Sequence, residues 1–369
     1  MLFLGIDLHT NCFTCCYLDQ EGGKRLETFE LKLEGLERFF ATLTKDTHVL
    51  VEATINTFAF VERFQDRVAQ VVIANTHKLK IISFTDKKTD KVDAEKLARV
   101  IKTQVLSGEQ QASPVMIPSH LVQNLRSLFS TYQLLRKQIV STKNRIHSLY
   151  AQNLMPFTKK YIFGKNSRAL LREITMEPTL SYQINFLFDE LEHLEWKTDQ
   201  FVEKILVTAH PFIHEIELLT SMSGISTFTT AAIMADIETV ERFPNAKAFT
   251  SYLRSTPRIE SSNTKTIIKS TNKAGRKLSI VLLSQSHNHF RDADPFLKAW
   301  NDRLCEFKRK GVVRMGLCRK AFAQIYQMLK KDEPHRYSNT VLHNRKMNEY
   351  RLFLRSYGIT PKELRKDSA

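Results

Sequence analysis

The sequence predicts an N-terminal α/β domain, a long helical middle region and a mainly helical C-terminal region. Short apolar, strand-like runs alternate with helical patterns over roughly the first hundred residues, and two later segments repeat apolar residues at heptad spacing. The 369 residues carry a formal net charge of +16, with 55 Lys+Arg against 39 Asp+Glu. This charge favours an acidic polymer as partner, although composition alone does not separate DNA, RNA and anionic lipid.

The N-terminal elements follow an order typical of one architecture. We predict strands at 2–8, 12–18, 25–31, 47–53 and 70–75, and helices at 33–43, near 57–68 and from Thr89 onward. Three strands followed by alternating helices and strands are the order of the ribonuclease-H-like fold, which has a mixed sheet.

The middle region carries two amphipathic segments with unbroken 4-3 spacing. The first begins at Leu121 and ends at Leu149, and the second begins at Leu180 and ends at Ile205. More than three heptads each predict a coiled coil, with an ordinary helical bundle as the alternative. The spacing leaves open whether the two segments pair with each other or across protomers. The linker 150–179, which contains Pro156, Gly164 and Pro178, is where the chain must reverse or break.

Three C-terminal features favour contact with nucleic acid. The segment 221–226 resembles the turn of a helix-hairpin-helix, which would present backbone N–H groups to a phosphate. The segment 254–277 is basic and rich in Ser and Thr. The basic stretch from Lys330 onward is either a nucleic-acid-binding tail or a short terminal helix.

Four acidic residues are candidates for chemistry. Asp7 lies inside an apolar strand, where an ionised carboxylate is costly without a partner, and Glu52 ends the strand at 47–53. Asp90 and Asp93 open a helix at i, i+3 spacing and share one face. Four converging carboxylates would bind divalent metal, and two Mg²⁺ ions would activate a nucleophile at a phosphodiester. Taken singly, Glu52 is equally a solvated strand end, and Asp90 and Asp93 are favourable charges at a helix start.

The cysteine and histidine patterns predict no zinc site. Five cysteines exclude a complete disulfide framework and favour a reducing compartment. Cys12 and Cys15 have zinc-like spacing but lack a second pair nearby, so we interpret them as small hydrophobic residues on a strand. His287 and His289 are expected on a helix surface.

The ordered motifs resemble those of one transposase family. Three segments resemble the three acidic blocks of the DEDD insertion-sequence transposases, relatives of the Piv invertase and of bridge-RNA-guided recombinases. These segments are Gly5-Ile6-Asp7, Val51-Glu52-Ala53-Thr54 and Thr89-Asp90 with Asp93-Ala94. Later segments resemble the C-terminal transposase domain of that family: 219–225, Asp236-Ile237 with Arg242-Phe243, Pro257 with Ser262, Lys273 and Gly275, and Gly311 with Arg319-Lys320.

The resemblance implies a metal-dependent recombinase. It implies a RuvC-like domain in which Asp7, Glu52, Asp90 and Asp93 bind Mg²⁺ or Mn²⁺. It also implies a serine nucleophile that maps to Ser262, with Ser261 as the adjacent alternative, and a phosphoserine intermediate. The implied partners are donor and target DNA, a structured non-coding guide RNA, and further copies of the chain in a homodimer or homotetramer. The implied location is cytoplasmic and nucleoid-associated, without membrane contact. The expected regions are 1–112 (RuvC-like), 113–209 (coiled coil), 210–330 (transposase domain) and 331–369 (basic tail).

Three positions depart from the family pattern. Arg254 stands where the family has Gly, Asn263 follows Ser262 in place of Gly, and Ile55 follows Thr54 in place of Gly. The alternatives to a transposase are a site-specific DNA invertase, a metal-dependent junction nuclease that uses water, and an inactive nucleic-acid-binding derivative.

Overall fold

The computed structural model describes residues 1–75, 89–112, 114–155, 162–174, 176–262 and 265–360. These residues form two compact units, Met1–Ile117 and Pro118–Ala369. The predicted boundaries after residues 209 and 330 both fall inside the second unit.

The first unit is built on a five-stranded sheet with the order β3-β2-β1-β4-β5. Its strands are β1 (Leu2–Leu8), β2 (Cys12–Leu18), β3 (Lys24–Glu30), β4 (Thr47–Glu52) and β5 (Gln70–Ala74). The pairs β1–β2 and β2–β3 are antiparallel, whereas β1–β4 and β4–β5 are parallel. The strand predictions are confirmed to within one residue at each end.

Helices cover both faces of this sheet. They are α1 (Leu33–Phe40), α2 (Thr57–Val61) and α3 (Asp90–Ser107), with a 3₁₀ turn at Gln65–Arg67. One face packs a phenylalanine cluster that includes Phe13, Phe39 and Phe60, and the other packs against α3. The predicted helices 33–43 and 57–68 are too long. Phe60, Val61 and Phe64 all enter the core, so the apolar spacing of a helix continues past the end of α2.

Two long helices form an antiparallel hairpin in the second unit. They are α4 (His120–Gln152) and α6 (Pro178–Thr208), with the short α5 (Lys165–Glu173) between them. The apolar stripes pack on each other in one buried cluster that includes Ile139 and Ile146 of α4 and Ile184 and Leu191 of α6. The two heptad segments therefore pair within the chain, which answers the question that the spacing left open. Of the linker, residues 156–161 and 175 lie outside the described residues.

The rest of the second unit, as far as its residues are described, is helical apart from one hairpin. The helices are α7 (Ile213–Thr220), α8 (Thr227–Ile237), α9 (Ala246–Tyr252), α10 (Leu278–Gln285), α11 (His287–Ala293), α12 (Pro295–Cys305), α13 (Lys310–Lys331) and α14 (Thr340–Ser356). The strands β6 (Pro257–Ser262) and β7 (Lys265–Thr271) form the hairpin.

The final basic stretch contains a packed helix. In α14, Met347, Tyr350 and Leu354 are buried in the cluster that also holds Leu125 of α4 and Ala231 of α8. Of the two alternatives for this stretch, the described part is the terminal helix, and residues 361–369 of the predicted tail lie outside the described residues. Among the helices that are described, none combines the length and the apolar character needed to cross a bilayer.

The predicted phosphate-binding turn at 221–226 packs closely against α11. Gly224 has a φ of +84°, and a Cβ there would lie 2.9 Å from His289 Cβ and 3.1 Å from the Ser286 carbonyl oxygen. Met222 and Ile225 on either side are fully buried. The close approach that Gly224 permits is used by α11, so this glycine has a packing role, and phosphate binding at the turn stays a prediction.

Candidate functional site

Asp7 and Glu52 lie at the same end of two neighbouring parallel strands. Ile6 of β1 pairs with Val51 of β4, so the next residue in each strand carries a carboxylate at the carboxyl edge of the sheet. The Asp7 side chain is only 13% exposed. The apolar runs that form these strands therefore bring the two acids to one edge.

Asp90 and Asp93 lie in the first turn of α3. The Thr89 hydroxyl caps this helix by accepting a hydrogen bond from the Val92 N–H at 3.3 Å. Lys96 Nζ lies 3.2 Å from Asp93 Oδ1 and partly balances that charge. Lys88, which precedes this cap, lies outside the described residues.

His9 is a site residue that the sequence analysis missed. Its Nε2 lies 3.3 Å from Asp7 Oδ2 and 3.4 Å from Asp90 Oδ1. One ligand atom from each of Asp7, His9 and Asp90 lies within 4.8 Å of the others. The signal in the sequence was its place two residues after Asp7, since residues i and i+2 lie on one face of an extended chain.

The charges of the neighbouring side chains shift the pKa of Asp7. Burial raises the pKa of Asp7, and Asp90, Asp93 and Glu52 raise it further, whereas His9 lowers it. All four predicted acids are thus close enough to interact, although the three-residue group contains only Asp7 and Asp90 of them. Carboxylate oxygens with one imidazole nitrogen are a donor set that fits a divalent cation, and a bound cation would relieve the repulsion.

Gly5 sets the distance between β1 and the helix that carries two of these acids. A Cβ at Gly5 would lie 2.1 Å from the Ala94 carbonyl oxygen and 2.3 Å from the Ala98 nitrogen, both in the backbone of α3. Backbone atoms cannot give way as a flexible side chain can. The glycine of Gly5-Ile6-Asp7 is therefore required for the close packing that brings Asp90 to Asp7.

We expect Gly5→Ala to destabilise the protein by about 1–3 kcal/mol or more, because α3 must move away from the sheet. The same movement should weaken divalent-ion binding. Gly311→Ala is the control, since a Cβ at Gly311 meets nothing within 4 Å, and it should leave stability unchanged or slightly higher. Urea unfolding and metal titration of both variants measure the effects, and a Gly5→Ala protein of wild-type stability would refute this role.

Ser262 ends the first strand of the β6–β7 hairpin. It pairs with Lys265, and Ser261 pairs with Thr266, so both serines lie next to the hairpin turn. Asn263, which departs from the family pattern, lies outside the described residues. The predicted nucleophile therefore belongs to a strand end in the second unit, whereas the four acids belong to the first.

The backbone conformation at Arg254 is one that suits the glycine found in the family at this position. Arg254 has a φ of +56°, in the left-handed region that favours glycine. Its Nε donates a hydrogen bond of 2.7 Å to the Gly275 carbonyl oxygen, which helps offset the backbone cost. The substitution is therefore compatible with the entry to β6.

Asp236 anchors the chain that leaves the hairpin. This buried carboxylate accepts hydrogen bonds from the Ser279 N–H at 2.9 Å and the Ser279 hydroxyl at 2.7 Å. Arg276 Nε, at 3.1 Å, balances its charge. The motif residue Asp236 therefore has a structural role here: it holds the start of α10 against α8.

Comparison with known families agrees with this arrangement of motifs. A family model for DEDD transposases of the IS110 type, described as a transposase, matches residues 4–154 and includes all four predicted acids. A second model, described as the transposase IS116/IS110/IS902 family, matches residues 216–287 and includes Ser262. Among curated proteins, none is significantly similar to the chain. The two family matches together cover more than half of the sequence, and the chain therefore belongs to the IS110-type DEDD transposases, enzymes that act on DNA.

Proposed function

We propose that this transposase cuts and rejoins DNA strands in a divalent-metal-dependent reaction with a serine nucleophile. The observation that carries the proposal is the group formed by Asp7, His9 and Asp90, whose ligand atoms lie within 4.8 Å of one another. The strand order of the sheet, with an antiparallel β2 beside a parallel β1–β4–β5, supports a ribonuclease-H-like fold for this unit.

The acids of the first unit would hold the metal. Asp7, Glu52, Asp90 and Asp93 supply carboxylate oxygens, and His9 adds a nitrogen that suits Mn²⁺ better than Mg²⁺. When bound, the ion neutralises charge that develops on the phosphate oxygens. The partial burial of Asp7 lowers the local dielectric, which strengthens its attraction for a cation.

Ser262 would attack a DNA phosphate. Its hydroxyl loses a proton as the Oγ–P bond forms, and the bond from phosphorus to the leaving sugar oxygen breaks while that oxygen gains a proton. The number of phosphoester bonds is conserved, so a second attack by a sugar hydroxyl reverses the step and rejoins a strand. No external energy source is needed.

The test is capture of the intermediate on DNA that carries the ends of the element. With Mg²⁺ or Mn²⁺, a fraction of the protein should migrate with DNA on a denaturing gel, and chelation should remove that species. Cleavage that proceeds equally well in excess chelator would refute the metal-dependent proposal.

A structured RNA is the proposed guide. The net charge of +16 and the basic, hydroxyl-rich segment 254–277 suit a polynucleotide gripped through its backbone and shape. When the gene is expressed with its flanking non-coding DNA, a discrete RNA should co-purify, and its digestion should abolish recombination. Full recombination by RNA-free protein would refute the guide.

Assembly of two or four protomers is proposed through the outer face of α6. Opposite the face that packs on α4, an exposed aromatic stripe contains Tyr182, Phe186 and Trp196, with His193 stacked on Trp196 at 5.9 Å. These residues lie on one face of α6, with Asp189 between them. Because the predicted heptad face is used within the chain, this second face is the one proposed to contact another protomer.

We expect Phe186→Asp to shift the protein toward the monomer by at least about tenfold in dissociation constant, because it places a charge in an apolar contact. Leu170→Asp, on the exposed face of α5, is the control and should leave assembly unchanged. Light scattering coupled to gel filtration measures the mass. A wild-type chain that is monomeric with and without nucleic acid would contradict the proposal.

A further inference from the structure

A concave site lies in the C-terminal unit, and its lining contains no residue of the β6–β7 hairpin. We call it the aromatic cleft: it is formed by the start of α12, the second half of α13 and the loop 333–337. Its volume is about 570 Å³. That volume falls within the range of roughly 300–1,000 Å³ found for sites that hold small organic groups.

Aromatic rings line one wall of the aromatic cleft, and the Phe296 ring is the exposed one among them. Phe296 is 70% exposed although it stands at the start of a packed helix. Its ring centroid lies 6.4 Å from that of Tyr337, at 45°, and the buried His335 ring lies 6.0 Å from Tyr337. The buried side chains of Leu297 and Met328 also line the cleft. Such rings offer stacking surface to a flat, apolar-faced group.

The charge around the aromatic cleft is positive. Lys320, Lys331 and Arg336 line it, and the Arg336 guanidinium lies 5.7 Å from the Tyr337 ring centroid. Two acids also line it, Glu333 and Asp294. Asp294 is 1% exposed and already serves the protein, since one of its oxygens accepts hydrogen bonds from the Phe296 and Leu297 N–H groups. The rim therefore attracts an anion.

We infer that the aromatic cleft binds one unpaired nucleotide of a DNA or RNA strand. The base stacks on the exposed Phe296 ring, and its phosphates lie toward the lysine and arginine side chains. An exposed ring beside cations matches a nucleotide, whereas a peptide or a lipid headgroup would use only part of this set. The inference is independent of the metal and of Ser262.

The experiment uses the full chain and short single-stranded oligonucleotides that contain one 2-aminopurine, whose fluorescence falls when it stacks. At high salt, phosphate contacts elsewhere on this basic protein are weakened, so the stacking contribution stands out. Wild-type protein should quench the signal. Phe296→Ala should weaken binding by about 5- to 100-fold and abolish the quench, because stacking contributes about 1–3 kcal/mol per base. Phe307→Ala, a similarly exposed phenylalanine that does not line the cleft, should behave as wild type.

Matched DNA and RNA strands identify which polymer the cleft prefers. A strand that lacks the base at the test position should bind the wild type weakly. Its affinity should equal that of the normal strand for Phe296→Ala. A 2-aminopurine paired within a duplex should give no quench. Equal affinity and equal quenching by wild type and Phe296→Ala would overturn the inference. A change of oligomeric mass in Phe296→Ala with unaltered nucleotide binding would also overturn it, since the cleft would then be a protein contact.

Discussion

The Asp7→Asn variant should lose metal-dependent DNA cleavage by roughly 10³-fold or more, since a metal supplies several kcal/mol of transition-state stabilisation and each 1.4 kcal/mol is a factor of ten. Asp7 is the least exposed residue of the group and carries the ligand atom nearest to His9. Asn keeps the size of the side chain and removes its charge. Asp46→Asn, an exposed site in the same unit, should keep full activity.

The same variant should be more stable than the wild type in the absence of metal. The pKa of Asp7 is raised by burial and by Asp90, Asp93 and Glu52, so its ionised form opposes folding. Because the folded-state pKa is raised, this cost to the folding free energy develops as the pH rises through the folded-state pKa. It is absent at a pH below the pKa of Asp7 in the unfolded chain, which is near 4. Thermal unfolding should therefore favour Asp7→Asn at neutral pH and show no difference in strong acid. Added Mn²⁺ should stabilise the wild type only.

A variant that is less stable than the wild type at neutral pH, without metal, would contradict this electrostatic account. In that case Asp7 would be held by favourable contacts, and the loss of cleavage would report disturbed folding. The two measurements thus separate a metal ligand from a merely structural acid.

The Ser262→Ala variant should lose both the covalent protein–DNA species and rejoining, each by roughly 10³-fold or more, because no other atom replaces the attacking hydroxyl. It should remain folded, since the β6–β7 ladder is held by backbone pairing. Ser261→Ala is the matched control, one residue away on the same strand, and should keep most of the activity. Denaturing gels and a recombination assay measure the two readouts.

Wild-type cleavage and rejoining by Ser262→Ala would contradict the assignment of the nucleophile. If cleavage persists without rejoining and without a covalent species, the enzyme is a nuclease that uses water. If Ser261→Ala alone loses the covalent species, the nucleophile is the adjacent serine.

Strong local patterns predicted most of the first unit. The apolar runs of β1 and β4 set the strands, and parallel pairing then brought Asp7 and Glu52 to one edge. His9 was missed because it follows the end of β1, where the apolar pattern that identified Asp7 has already stopped. The helix at 57–68 was overestimated because buried residues after α2 keep helical spacing without helical backbone.

Long-range contacts were harder to predict from the sequence. The heptads predicted long helices correctly, but only the structure identifies α4 and α6 as partners within one chain. The sequence around Gly224 resembled a phosphate-binding turn. In the structure, the same glycine backbone allows close packing against α11. The tolerance for Arg254 depends on a hydrogen bond to Gly275, which is distant in sequence.

Calorimetric titration of the full chain with Mn²⁺, in the presence of DNA, tests the central claim most directly. We expect uptake of at least one ion per chain by the wild type and loss of that uptake in Asp7→Asn, with Asp46→Asn unchanged. The absence of any divalent-ion binding to the wild type, even with DNA present, would contradict the proposal that these acids form a metal centre.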